Sequence, residues 1–402
     1  MPIYKWEGKT AKGAVKKGEM EAPGEAAIRI HLRQQNIIPT KISSKGKEIN
    51  ISLPFLKQKV KQRSVAVFTR QLATMIDAGL PLVQSLEILS LQQDNKVFKG
   101  IIRQIKEDVE GGSTFAGALN KQPSAFNELY TNLVVAGEEG GILDNILTRL
   151  ANYIEKSEAL KKKVKSALIY PTTIIGVAVI VVMILMIFVI PVFETLFKNA
   201  GQTLPLPTLV VVTLSKLIKK YVIIFIPALI LLIYLLRKYY QTENGRAVID
   251  RLFLKLPVLG ALFKKIAVAR FSRTLGTLVS SGVPILDGLG IVSRTSGNRT
   301  IETAILNARA SIREGETIAE PLNRSGIFPP MVIQMISVGE STGALDSMLS
   351  KIADFYEDEV DIAVANLTSL LEPFLMVFLG VVIGGVVISM YLPIFQMAGA
   401  VG

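Results

Sequence analysis

The sequence predicts an all-α polytopic membrane protein with two duplicated cytoplasmic helical bundles, three transmembrane helices and a small N-terminal α+β segment. Three observations lead there: uncharged apolar blocks of membrane-crossing length, a second half that repeats the first, and apolar residues spaced by three and four between the blocks. Of the 402 residues, 50% are AVILMFWYC and 19% are charged, a balance that excludes a disordered or purely solvated chain. There is no cysteine, so a disulfide scaffold, a thiolate zinc site, an iron–sulfur cluster and a cysteine nucleophile are all excluded. Forty-five Lys and Arg against 33 Asp and Glu give +12, which suggests an anionic partner until the placement of the charges is considered.

Ser166 to Phe193 is uncharged throughout, about 42 Å as a helix against a hydrocarbon core of about 30 Å. Pro373 to Gly402 also holds no charge and carries the core LMVFLGVVIGGVVISMYL. The block Tyr221 to Leu236 is shorter, about 24 Å, and Lys219, Lys220, Arg237 and Lys238 extend it by snorkelling to the headgroups. The opening MPIYKWEGKTAKG lacks the apolar stretch of a signal peptide, so the chain is expected to begin in the cytoplasm.

The segment FTRQLATMIDAGLPLVQSLEIL (68–89) matches FSRTLGTLVSSGVPILDGLGIV (271–292), pairing Arg70 with Arg273, Gly79 with Gly282 and Pro81 with Pro284. AGEEGGILD (136–144) matches VGESTGALD (338–346), so Gly137, Glu138, Gly141 and Asp144 recur as Gly339, Glu340, Gly343 and Asp346. Pro171 and Pro191 bracket the first apolar block as Pro373 and Pro393 bracket the last. Copies that enter their spans alike belong on one side, which demands an even number of crossings between them. The middle block supplies the second crossing. Lys156, Lys161, Lys162, Lys163 and Lys165 precede the first span, and nine basic residues against two acidic ones lie from Arg237 to Arg273; both groups belong inside. The absence of Lys and Arg from 358–372, and Lys216, Lys219 and Lys220 on the outer loop, run against this count. The repeat decides for an inside N-terminus and an outside C-terminus.

Within each copy, Ala78-Gly79-Leu80-Pro81 and Ser281-Gly282-Val283-Pro284 place a glycine at a helix end and a proline just beyond, a stop and restart signal between packed helices. Ahead of them, IYKWEGKT and AVKKGEMEA alternate like strands around Ala11-Lys12-Gly13, Pro23 to Gln35 reads as a helix, and Thr40 to Ser43 as a strand. The expected organisation is an N-terminal strand–helix segment (1–50), a basic linker (51–64), a first cytoplasmic bundle (65–166), a first transmembrane helix (167–193) and an outer loop with an amphipathic helix (194–220). A second transmembrane helix (221–237), a cytoplasmic region with the second bundle from about 268 (238–372), a third transmembrane helix (373–395) and an outer tail (396–402) complete it.

Catalytic constellations are missing. Gly8-Lys9-Thr10 has the tail of a phosphate-binding loop, but the first glycine falls at Ile3. Gly288-Leu289-Gly290 lacks the third glycine of a dinucleotide fingerprint, and His31 is the only histidine, which reads as a surface residue of the 23–35 helix. No enzyme activity, no cofactor and no directly bound nucleic acid are expected. The run Asp354, Glu357, Asp358, Glu359 and Asp361 reads as a solvated helix face rather than a metal site. The duplicated Gly-Glu-x-x-Gly-x-Leu-Asp reads as a helix kink or cap stabilised by Asp144 and Asp346, with a partner site as the other reading. The spans hold no ionisable residue, which disfavours a transporter. Gly380 and Gly384 form a Gly-x-x-x-Gly that would let another helix approach closely.

Phe-x-Arg-x-Leu near the start of each copy, Gly-Glu-x-x-Gly-x-Leu-Asp late in each, and Leu168-Ile169-Tyr170-Pro171 opening the first span resemble the inner-membrane platform proteins of type IV pilus assembly, related to the F component of type II secretion systems. FKNAGQTLPLPT after the first span is similar to the pilus branch in particular. The resemblance implies a bacterial inner-membrane platform that contacts cytoplasmic hexameric ATPases and hands pilin subunits into a filament. It also implies other inner-membrane assembly components as partners, and a homo-oligomer. The alternative it leaves is the F component of a system exporting folded proteins. Basic surfaces such as Lys161 to Lys165 and Arg237 to Lys265 are expected to meet lipid or acidic partners. Some secretion relatives hold calcium in the first cytoplasmic domain; the corresponding positions here are Asp94, Thr148 and Asn152, of which Asp94 alone is acidic, so no tight metal site is expected.

Overall fold

The computed structural model describes residues 3–10, 15–35, 37–44, 60–199 and 204–400. Two compact units divide the chain, 1–59 and 60–402. In the first, strands β1 (Ile3–Thr10), β2 (Val15–Glu21) and β3 (Ile37–Ser44) form an antiparallel sheet in the order β2-β1-β3, with helix α1 (Glu25–Gln34) between β2 and β3. Ile28 and Leu32 of α1 bury against Ile37 and Ala22, with Trp6 and Ile42 packed alongside. The third strand begins at Ile37, three residues before the sequence expectation, because Ile37 belongs to this core. His31 is exposed on α1. The turn at Ala11-Lys12-Gly13 and residues 51–59 of the basic linker lie outside the described residues.

The second unit is helical. Its first half consists of α2 (Gln62–Asp77), α3 (Leu82–Gln92), α4 (Lys96–Glu110), α5 (Phe115–Asn120), α6 (Glu128–Gly140) and α7 (Leu143–Ile184). A π-helical segment at residues 185–189 joins α7 to α8 (Ile190–Asn199) without a break. After α9 (Leu206–Tyr240) and α10 (Glu243–Lys255) the same succession returns as α11 (Leu259–Ser280), α12 (Ile285–Thr295), α13 (Arg299–Arg313), α14 (Ala319–Arg324), α15 (Pro330–Thr342) and α16 (Leu345–Ala400).

Local chemistry repeats with the succession. Gly79 (φ 83°) and Gly282 (φ 82°) take the left-handed conformation after α2 and α11, and Leu80 and Val283 donate back to the carbonyls of Met75 and Leu278 at 2.9 and 3.0 Å. Pro81 and Pro284 then stand at the N-caps of α3 and α12. Asn95 and Asn298 cap α4 and α13, each accepting from two amides of the first turn. Phe68, Phe98, Phe126 and Tyr130 fill one side of the core, and Phe271 meets Phe328 at 4.7 Å between ring centroids on the other; residues from both halves join in a single apolar cluster.

Among the described residues, two helices are long and apolar enough to cross a membrane, Leu143–Phe197 and Leu345–Pro393. The expected boundaries at 166/167 and 372/373 fall inside these helices: each polar portion runs straight into its apolar portion. The stretch 194–220, expected to hold an amphipathic helix, contains the end of α8 and the first half of α9, and residue 220 lies mid-helix. The helices continue through Pro171, Pro227 and Pro373, each of which lacks an amide proton and removes one rung of the ladder without ending its helix.

Candidate functional site

The duplicated arginines tie the start of each half to its long final helix. Arg70 on α2 donates through Nε to Glu155 Oε1 at 2.8 Å and through Nη2 to Glu155 Oε2 at 2.6 Å and Asn152 Oδ1 at 2.5 Å. Arg273 on α11 repeats the grip on α16, reaching Glu357 Oε1 at 2.8 Å and Asp354 Oδ1 at 2.5 Å. A planar guanidinium is suited to such forked pairing. Glu155 is held below the usual carboxylate range chiefly by its hydrogen bonds from Arg70. Burial pushes Asp354 up, but hydrogen bonds from Lys156 and Arg273 outweigh it and the net shift is downward.

The Gly-Glu-x-x-Gly-x-Leu-Asp motif is accounted for within the chain. Glu138, at the end of α6, accepts from the amides of Phe115 at 2.7 Å and Ala116 at 2.8 Å, capping the N-terminus of α5. Glu340 accepts from the amide of Ile318 at 2.9 Å and so caps α14. A carboxylate is favoured there because the first amides of a helix lack intrahelical acceptors and carry its positive dipole end. Gly137 and Gly339 let the long helices return closely: a Cβ on Gly339 would lie 2.9 Å from Leu345 Cα, and on Gly137 3.0 Å from Ile146. Gly141 and Gly343 make the turns, at φ 66° and 73°. Asp144 and Asp346 stand in the first turns of α7 and α16. Glu138 and Glu340 thus cap across helices, while Asp144 and Asp346 stand where a negative charge favours the N-terminus of their own helix.

The acidic run is solvated only in part: Asp354 and Asp358 are exposed, yet several of its members pair across helices. Asp354 Oδ1 accepts from Lys156 at 2.7 Å, Glu359 pairs with Lys265 at 2.6 Å, and Asp361 pairs with Lys163. Lys156 and Lys163 meet partners 198 residues ahead in both cases, so α7 and α16 lie side by side in fixed register. Below the apolar portions, Leu160, Leu262, Ile266, Val360 and Val364 complete this seam with a small core. Lys163 and Lys265, expected to face lipid or partners, are thus engaged internally, and so is Lys156.

At the other end of the long helices two prolines meet α9. Pro393 has no amide proton and leaves the carbonyl of Ser389 without its helical donor; Thr208 of α9 donates to that oxygen at 2.5 Å. In the i→i+5 frame of the π-helical segment the carbonyl of Met186 faces Pro191, and Ser215 of α9 donates to it. Thr208 and Ser215 are buried, beside a cluster of Met186, Ile190, Val212 and Val386. Lys216 pairs with the buried Glu194 at 2.7 Å. Among the described residues, nothing outside the local backbone of their own helix lies within 4 Å of a Cβ placed on Gly380 or Gly384.

Comparison with known proteins decides the family. The model of the type II secretion system protein F family matches twice, over residues 68–191 and 271–393, and the model of that protein's N-terminal domain matches residues 1–43. The chain belongs to the type II secretion system protein F family. Within it, the chain is 51% identical to a type IV pilus assembly protein PilC of Myxococcus xanthus over 99% of this chain and 95% of the relative. A PilC of Pseudomonas aeruginosa is 42% identical over 93% of this chain and all of the relative. A type II secretion system protein F of Xanthomonas campestris is 36% identical over the full length of both.

Of the three positions singled out for calcium, Asn152 offers an Oδ1 that already accepts from the Arg70 guanidinium, and Asp94 is exposed. Sequence reasoning found the repeated motifs but missed the seam and the proline-to-hydroxyl contacts. The equal spacing of Lys156 from Asp354 and of Lys163 from Asp361 is the signal that would have found the seam.

Proposed function

We propose that this F family member is the inner-membrane platform of a type IV pilus machine, coupling cytoplasmic hexameric ATPases to pilin insertion and filament assembly. The observation that carries this reading is full-length likeness at 51% and 42% to proteins named for type IV pilus assembly, above the 36% and 30% to proteins named for type II secretion. In this reading the chain crosses the membrane three times, at 167–193, 221–237 and 373–395, with the N-terminus and both bundles in the cytoplasm and the C-terminus outside. The length of α9, 35 residues or about 52 Å, is ample for the middle crossing. The platform is a coupler without catalysis of its own: Arg70 and Arg273 bind each bundle to its long helix, and Glu138 and Glu340 brace the short helices within each bundle, so a push on a bundle reaches the bilayer. Further assembly components, membrane lipid and further copies of the chain are its other partners, with Gly380 and Gly384 available for close helix approach.

Deletion of the gene tests this reading. A deletion strain is expected to lose surface pili and regain them with the intact gene. Retained pili together with lost export of folded proteins would favour the secretion reading, which the 36% identical relative supports. ATP hydrolysis by the purified chain would overturn the coupler assignment.

A further inference from the structure

A cleft of about 550 Å³ opens where α7 meets its apolar portion, walled by α7, the end of α9, α10 and α11. Leu160, Val164 and Leu168 form one wall, and Phe253, Phe263 and Ile266 the other. Phe253 and Phe263 pack edge to face at 5.7 Å, which makes that wall a fixed apolar surface. Leu168 is 45% exposed and directly precedes Ile169-Tyr170-Pro171, so the cleft opens at the level where the uncharged block starts.

Three cations stand in this apolar cleft: Lys161, Lys165 and Arg270. Arg270 is half-buried and has neither an ion-pair nor a hydrogen-bond partner among the described residues. Lys165 likewise has none, and Lys161 has only Glu158, one turn away at 3.4 Å. The one carboxylate in the cleft, Asp250, is spent: its oxygens accept from Tyr240 Oη at 3.0 Å and from the Arg299 amide at 2.7 Å. A half-buried guanidinium without a counter-charge is costly unless an anion reaches it. The repeat itself does not require it, for the position matching Arg270 in the first half is Val67.

We propose that this cleft binds an anionic phospholipid, with an acyl chain along Leu168, Val164 and Phe263 and the headgroup phosphate held by Arg270 and Lys165. Apolar walls joined to unpaired cations at the membrane boundary match the two halves of such a lipid and suit neither a free anion nor an uncharged lipid. The proposal rests on the reading that α7 enters the bilayer near residue 167, and is independent of the pilus role.

The test is native mass spectrometry of the full chain, released from membranes and offered equal phosphatidylglycerol and phosphatidylcholine. Retention of phosphatidylglycerol is expected to exceed that of phosphatidylcholine, and to fall about five-fold for each cation removed in Arg270→Gln and Lys165→Gln. Lys162→Gln, the same charge loss outside the cleft, is expected to leave it unchanged. Leu168→Gln is expected to weaken phosphatidylglycerol through the acyl wall; with Lys165→Gln it carries the test should Arg270→Gln fail to fold. Equal retention of the two lipids, an equal loss in Lys162→Gln, or displacement of the lipid by inorganic phosphate alone would overturn the site. Extraction of the chain from membranes by alkaline carbonate would instead overturn the membrane reading on which it rests.

Discussion

Thr208 donates its hydroxyl proton to the carbonyl of Ser389, the acceptor that Pro393 deprives of its helical donor. Ser215 does the same for Met186 opposite Pro191. One helix thereby completes the hydrogen bonding of two others. Thr208→Val keeps the shape and removes the donor, so a loss of about 1 kcal/mol is expected, in the range of hydrogen bonds between membrane helices. The thermal midpoint of the detergent-solubilised chain measures it. Thr213→Val, whose hydroxyl returns to its own helix at Leu209, is the control and should change little.

Glu138 and Glu340 should act as caps. Glu138→Ala leaves two amides of α5 without acceptors and is expected to cost about 1–2 kcal/mol. Glu138→Gln should recover part of that, since the amide oxygen still accepts one bond. Urea titration of the full chain gives the ranking. Equal stability of wild type and Glu138→Ala would refute the capping role.

The two arginine clamps should differ in weight. Arg273 is 13% exposed and Arg70 37%, so water screens the second pair more. Arg273→Gln is expected to cost about 2 kcal/mol, as charged hydrogen bonds do when half-buried, and Arg70→Gln less than half of that. Thermal melts of both variants in one buffer decide the order.

Acid should loosen the arginine clamps, and with Asp354 the seam. Glu155 and Asp354 both titrate below their ordinary values in the folded chain, so their contribution is complete above the unfolded carboxylate range and disappears as pH falls through the lower folded values. Stability is expected to hold from pH 7 to pH 5 and to drop below about pH 4. In the double variant Glu155→Gln, Asp354→Asn the acid limb should flatten; an unchanged limb would show that other carboxylates govern it.

Repeats also expose what one copy lacks. Thr69 meets Tyr130 Oη at 3.1 Å in the first half, whereas Val332 stands where the tyrosine would be in the second, and Ser272 Oγ is buried without a partner. Tyr130→Phe is expected to cost about 1 kcal/mol, and Ser272→Ala to be neutral or stabilising, because removing an orphaned polar atom removes its desolvation penalty. Parallel denaturation curves check both signs.

Sequence patterns reveal what is local here and hide what is distant. Gly79-Leu80-Pro81 states its own turn, because the left-handed glycine and the proline restart act within four residues. Glu138 does not name its amides, which lie more than 20 positions upstream, and a run such as Asp354 to Asp361 looks solvated until α7 is laid beside it. The hydroxyls of α9 are harder still. A threonine in an apolar helix usually returns its proton to its own backbone, as Thr213 does, and nothing adjacent marks Thr208 as different.

Helix α16 continues without interruption from Leu345 to Ala400, about 84 Å of one rod. Its polar half and its apolar half belong to one helix, which Pro373 enters without ending it. Over such a length, a tilt of a few degrees at one end amounts to a sideways displacement of several ångströms at the other.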